Sequence, residues 1–264
     1  MDAKQLDALA DRIAAGRKSR KPMDIAAATA GLSEADAYKV QFAVHDKLCA
    51  GGGDKIAGWK VALTLPVQYE PMKLSGPVFA AIYQSGLRQS GVAFDRGWPL
   101  RAGIEPELVA RISKDTPTTG TASYTADTIR GHVANLYCGM ELVDNRSVDV
   151  TKVSGPGRIA DNVLQAALVT GTEIKDWQKL DFPNLKGRSL LDGKELAKGP
   201  GSAVMGSALI SLAWLANKLI EHGRNLRAGD LILTGSVHPP AFLPGPGVAR
   251  TEFEGLGGTE ITIK

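Results

Sequence analysis

At 264 residues the chain is long enough for one large domain or two small ones. Its 31 Lys and Arg against 28 Asp and Glu leave a net charge of +3 spread along the sequence, and no basic tract marks a nucleic-acid surface. Two cysteines, Cys49 and Cys138, lie far apart without CxxC spacing, which excludes a disulfide framework and a thiolate zinc site.

The chain opens polar, without a hydrophobic signal stretch, and no later run is read as reaching the roughly 20 apolar residues of a membrane span. A soluble cytoplasmic protein without membrane or nucleic-acid partners is therefore expected. Leu6, Leu9, Ala10 and Ile13 predict a first helix that runs into the basic stretch Arg17 to Lys21, read as a solvated helix end. Ser33-Glu-Ala-Asp36 has the form of a capping box, and Ala37, Val40, Val44 and Leu48 continue a second helix that Gly51, Gly52 and Gly53 stop. Those glycines lack the context of a phosphate loop.

From Lys55 the texture changes. Ile56 to Leu63 reads as a buried strand with one charge inside it, Lys60, which demands a partner; a structural ion pair and a site lysine both fit. The next strand-like run, Ile104 to Ile112, carries Glu105 and Glu107, and Met140 to Asp144 carries Glu141. Side chains alternate along a strand, so Glu105 and Glu107 project to one side, where Glu141 from another strand completes a cluster. Like charges held that close need a cation, and oxygen-only ligation suits a hard divalent ion such as Mg2+.

Ile129, Val133 and Leu136 fall at helical spacing and predict a helix over 125–136 that feeds the strand of Glu141. A long helix is expected from Ser202 to His222, with Gly223 as its cap. Asp230 to Gly235 reads as a short strand, and residues 251–263 as a closing hairpin, with the prolines from Pro239 to Pro246 in loop. Helices gather at the N-terminus and strands later, which argues for an α+β fold with a helical region at 1–54 and a catalytic domain at 55–264. The four tryptophans, Trp59, Trp98, Trp177 and Trp214, are assigned to core packing.

The ordered set Gly58 to Thr64, Glu105-Pro-Glu107, Glu141 to Arg146, Ala160-Asp-Asn162 and Ala228 to Gly235 resembles the 2-oxopent-4-enoate hydratase and 4-oxalocrotonate decarboxylase family, within the fumarylacetoacetate hydrolase superfamily. The resemblance spans nearly the whole chain. It implies a mixed β-sheet rolled into a barrel-like sandwich with flanking helices and a helical N-terminal region, in a homo-oligomer. It also implies Glu105, Glu107 and Glu141 as ligands of Mg2+ or Mn2+, with Lys60 beside a bound 2-oxo acid. The expected activity is hydration of a small unsaturated 2-oxo or 2-hydroxydienoic acid. The alternatives are a 4-oxalocrotonate-type decarboxylase, an acylpyruvate C–C hydrolase, and a catalytically impaired binder of small acids; a complex with a partner pathway enzyme is also considered.

The chain departs from that pattern in two places. Phe79-Ala-Ala-Ile82 puts Ala80 where the family is expected to show an acidic residue, and Asp161-Asn-Val-Leu164 replaces a serine with Leu164. His238, in the proline-bounded loop, is the candidate for moving a proton in their stead. Asp144 and Arg146 are expected to bond one another, Asp161 to cap a turn or helix start, His45 and His222 to be surface or satisfied residues, and His132 to pack a helix.

Overall fold

The computed structural model describes every residue except 96, 98, 121 and 122, so the Trp98 expectation lies outside the described residues. Three helices come first: α1 (Ala3–Ser19), α2 (Ile25–Ala28) and α3 (Glu34–Cys49). Asp2 caps α1 by accepting from the Gln5 N–H, and Ser33 caps α3 by accepting from that of Asp36. After β1 (Ile56–Ala62) and α4 (Pro66–Tyr69) come β2 (Val78–Tyr83), β3 (Leu87–Gln89), β4 (Val92–Phe94) and β5 (Ala102–Ile112). Then α5 (Ala126–Arg130), β6 (Val133–Asp144), α6 (Gly155–Ala160), β7 (Gln165–Glu173), β8 (Lys186–Leu191), β9 (Lys194–Pro200) and α7 (Ala208–Glu221) follow. The chain closes with β10 (Leu231–Ser236), β11 (Ala241–Phe242), β12 (Gly247–Phe253) and β13 (Gly257–Ile263).

Two mixed sheets carry the architecture. The larger has the order β2-β1-β10-β5-β6-β7-β3, with β11 added to β5; the smaller has the order β4-β13-β12-β8-β9. The β1–β10, β3–β7 and β4–β13 pairs are parallel and the others antiparallel. The smaller sheet lies across β5, β6 and β7. Lys60 on β1 reaches Glu141 on β6, three strand steps along the larger sheet, at 2.5 Å. On a flat sheet those strands stand about 14 Å apart, so the contact requires the sheet to curl toward a half-barrel with both residues on its concave side.

The N-terminal helices and the half-barrel share one core, in which Ile13, Val40 and Val44 belong to the same buried cluster as Trp59, Phe79 and Leu212. Gln41 on α3 donates from its amide to the carbonyls of Phe79 on β2 and Ile159 on α6. The stretch Gly201–Glu221, with a mean hydropathy of 1.5, is long and apolar enough to span a membrane by composition, contrary to the sequence expectation. Its apolarity has another cause here, since Leu212, Leu215, Ala216 and Leu219 are wholly buried in the core.

Several expectations are corrected. The segment 125–136 is helical only over α5, and Val133 and Leu136 belong to β6. A register shift opposite Arg111 and Ile112 inserts one extra residue, so two inward side chains stand three apart and imitate helical spacing. Helix α7 starts at Ala208, capped by Ser207, because Met205 (φ 52°) and Gly206 (φ 86°) break the backbone before it. Arg17 does not end in solvent: its guanidinium donates to the carbonyls of Asp161 and Gln165. Arg146 does bond Asp144, its backbone N–H donating to the Asp144 carbonyl at 3.0 Å, but its guanidinium pairs with Asp161, which is thus an ion-pair partner of both arginines.

Gly58 is where β1 meets β10 most closely, and a Cβ added there would stand 1.8 Å from the Leu231 carbonyl oxygen. Gly58→Ala is therefore expected to part the strand that carries Lys60 from its neighbour. The predicted loss is about 3 kcal/mol or more of unfolding free energy in urea denaturation, and a loss under about 1 kcal/mol would refute the close-contact account.

Candidate metal centre

Strands β5 and β6 build the centre. Glu105 and Glu141 are direct cross-strand partners, which puts both side chains on one face, and Glu107 rejoins that face two residues on. One oxygen from each of the three carboxylates lies within 4.8 Å of the others. All three residues are at most 9% exposed. The end of β10 approaches from the side, where the Gly235 N–H donates to Glu107 Oε2 at 2.6 Å. Gly235 takes φ 111°, a conformation that a side chain would strain.

Lys60 is the cation facing this cluster. Its Nζ donates to Glu141 Oε1 at 2.5 Å and to the Val163 carbonyl at 2.9 Å. An ammonium has three N–H donors, so one remains for a further acceptor. Ala80, where the resemblance led an acid to be expected, is the cross-strand partner of Lys60 on β2 and sets a methyl group on the lysine's face.

The carbonyl that holds Lys60 comes from an unusual turn. Asn162, Val163 and Leu164 all have positive φ, at 56°, 49° and 60°, although none is glycine. Such backbone persists only where its surroundings fix it. The Asn162 side chain supplies that anchor: its amide donates to the Ala81 carbonyl at 2.8 Å, and its oxygen accepts from the Ala81 N–H at 2.9 Å and from His45 Nε2 at 3.1 Å. Burial pushes His45 down to about 3, so its ring stays neutral. His45 is thus a buried, neutral residue that bonds Asn162 through Nε2, while its Nδ1 has no partner among the described residues.

Burial and mutual repulsion set the electrostatics. Glu105 is pushed up to about 8, first by desolvation and then by the charge of Glu141, with Lys60 opposing. Glu107 is raised well above the ordinary carboxylate range by desolvation and by both neighbouring glutamates. Glu141 is also raised by desolvation, although Lys60 pulls against it. Three buried carboxylates against one ammonium leave the cluster short of positive charge. The donor set is all oxygen, converging and dry, and it fits a hard divalent cation.

His238 stands apart from this arrangement. Nδ1 lies 2.6 Å from the Pro239 carbonyl and must donate to it, which leaves Nε2, 3.1 Å from Ser189 Oγ, to accept. Both ring nitrogens of a neutral imidazole are thereby committed, and burial lowers the ring's pKa, with the bond to the Pro239 carbonyl opposing.

Residues 89–264 match the family model described as fumarylacetoacetate (FAA) hydrolase, C-terminal. The chain belongs to the FAA hydrolase family. Within it, a 2-keto-4-pentenoate hydratase of Paraburkholderia phymatum is 29% identical over 267 residues, covering 99% of this chain and 98% of the relative. A 4-oxalocrotonate decarboxylase of Pseudomonas putida is 28% identical, covering 84% of this chain and 83% of its own. Among solved structures, 4-oxalocrotonate decarboxylase from Pseudomonas putida G7, complexed with magnesium and adipate, superposes with a TM-score of 0.91. That match covers 100% of this FAA hydrolase-family chain and 99% of the other, at 23% identity.

Sequence reasoning singled out the three glutamates and Lys60, and the structure brings these four together. It missed the His45–Asn162 support; the only sequence signal was Asn162 in the ordered motif set.

The raised carboxylates carry a pH signature. Without metal, the folded protein holds protons on groups that release them near 4.5 when unfolded, so stability falls as pH rises from about 4.5 through about 8. In chelator, Tm is expected to drop by roughly 5 °C or more between pH 5 and pH 8, and by less with saturating Mg2+. A Tm that is flat or rising in chelator would contradict the clustering.

Proposed function

We propose that this protein is a soluble, cytoplasmic, divalent-metal-dependent lyase that hydrates a small unsaturated 2-oxo or 2-hydroxydienoic acid. The observation that carries the reading is the buried set of Glu105, Glu107 and Glu141 with Lys60 bonded to it. The full-length likeness to a 2-keto-4-pentenoate hydratase supports it. In this reading the three glutamates hold Mg2+ or Mn2+, which supplies Lewis-acid polarisation of the substrate's 2-oxo group.

The chain's own residues do the rest. Glu141 and the Val163 carbonyl fix the Lys60 ammonium, and its remaining N–H meets the substrate carboxylate or hands a proton to the electron-rich carbon of the dienol as it ketonises, the neutral amine then regaining a proton from the substrate's hydroxyl or water. The Gly235 N–H holds Glu107 in place within the carboxylate set. Burial excludes bulk water, which strengthens each of these contacts. His238, expected as a proton relay, is assigned instead to positioning: through Ser189 it ties the loop after β10 to β8.

A second reading, decarboxylation of a 4-oxalocrotonate-type acid, is favoured by Ala80. Loss of CO2 needs no base to activate water, and the methyl group beside Lys60 offers none. The two are separated by incubating metal-loaded protein with 2-hydroxypenta-2,4-dienoate and with 4-oxalocrotonate while following dienoate absorbance and CO2. Consumption of the pentadienoate without gas is expected. Gas from oxalocrotonate alone would replace hydration by decarboxylation, and tight oxalate binding without any turnover would leave only a binder.

Two substitutions test the roles. Glu107→Gln is expected to lower kcat/KM by about 100-fold or more, corresponding to ~2.7 kcal/mol of transition-state stabilisation, and to weaken Mg2+ binding in calorimetry. Lys60→Met is expected to cost a similar factor and to flatten the pH–rate profile; an unchanged rate and profile would remove Lys60 from the chemistry.

A further inference from the structure

Behind the Asn162–Leu164 turn lies a cavity of about 330 Å³, bounded by the C-terminal ends of α1 and α3, the corner after β2, and the chain entering β7. Its walls carry Arg17, Lys18, Arg20 and Arg146 against two carboxylates, Asp54 and Asp144. Asp161, one layer deeper, is shared between Arg17 and Arg146, so even with its charge counted the surroundings remain positive. The volume is at the small end of the range for small-molecule pockets.

Four side chains lining this cavity have polar atoms without any partner in the protein: Arg146 Nη1, Gln165 Nε2, Tyr83 Oη and Asp144 Oδ2. Their residues are at most 6% exposed. Buried polar groups are almost always hydrogen-bonded, and four exceptions around one cavity call for a common partner. Arginine and glutamine bring N–H donors, which ask for an anion's oxygens. Asp144 is an acceptor and asks for a donor, and its charge penalises a multiply charged anion such as phosphate.

We propose that this cavity is a second small-molecule site, which takes a compact organic acid carrying one carboxylate and one hydroxyl. The carboxylate pairs with Arg146 and Gln165, the hydroxyl donates to Asp144, and Lys18 and Arg20 draw the anion in from the rim. The four unpartnered atoms are closed off from solvent, so reaching the acid requires these side chains to turn toward the cavity. A carboxylate there competes with Asp161 for the two arginines. Asp161 directly precedes Asn162, which places the site one residue from the turn whose carbonyl holds Lys60.

The test uses L-lactate as the probe, with acetate and inorganic phosphate for comparison, in calorimetry on the metal-loaded full-length protein. Lactate is expected to bind at least tenfold more tightly than acetate or phosphate. Its affinity should fall at least tenfold in Gln165→Leu and in the rim variant Lys18→Ala/Arg20→Ala, and persist in Glu107→Gln. In the unsubstituted protein, lactate should also shift the side-chain amide resonances of Gln165, a readout that does not depend on any variant folding. Affinity lost in Glu107→Gln but kept in Gln165→Leu would place the probe at the carboxylate cluster and overturn the proposal. Phosphate binding as tightly as lactate would reduce the site to a charge trap, and an unmoved Gln165 amide would mean that ordered water alone fills the cavity.

Discussion

The contact between Lys60 and Glu141 is the constraint on which the rest of the structure depends. Three carboxylates held with oxygens within 4.8 Å of one another in a buried interior repel one another and have each lost hydration, a cost that no amount of apolar packing removes. One ammonium at 2.5 Å neutralises part of that charge from inside the protein. To deliver it, β1 must come round opposite β6, and so the curl of the large sheet and the chemistry of its concave face are one arrangement.

Much of the surrounding fold can be understood as holding that lysine in place. Gly58 lets β1 lie against β10, and Ala80 leaves room beside the ammonium. The left-handed turn at Asn162 to Leu164 brings up a backbone carbonyl, and Arg17 and Arg146 grip the aspartate before it. A β-branched residue such as Val163 at φ 49° is costly, and Asn162 offsets that cost by bonding both the N–H and the carbonyl of Ala81. The ring contacts of His45 and His238 hold backbone and loops of this scaffolding.

What could be read in the sequence followed local rules. The two-residue spacing of Glu105 and Glu107 fixed their common face, and the run around Glu141 identified its strand. The lone charge in an apolar strand announced that Lys60 needed a partner, but that partner lies 81 residues away, beyond any local pattern. Nearness along the chain also misled: Asp144 is closer to Arg146 in sequence than Asp161, yet Asp161 takes the ion pair. At 125–136 a strand irregularity reproduced helical spacing. The 162–164 turn left no trace, because Asn-Val-Leu contains none of the glycine that normally marks positive φ.

The direct opposition of Glu105 and Glu141 across β5 and β6 has a consequence for how the chain finds its alignment. Sliding one of these strands by a single residue would turn its acidic side chain to the other face of the sheet, away from Lys60 and among apolar neighbours such as Ile104 and Leu142. A misthreaded hairpin would thus bury an uncompensated charge, a far larger penalty than the loss of a few apolar contacts. The carboxylates proposed to hold the metal would also act as proofreaders of strand pairing, so replacing them with neutral residues would be expected to loosen the fidelity of assembly.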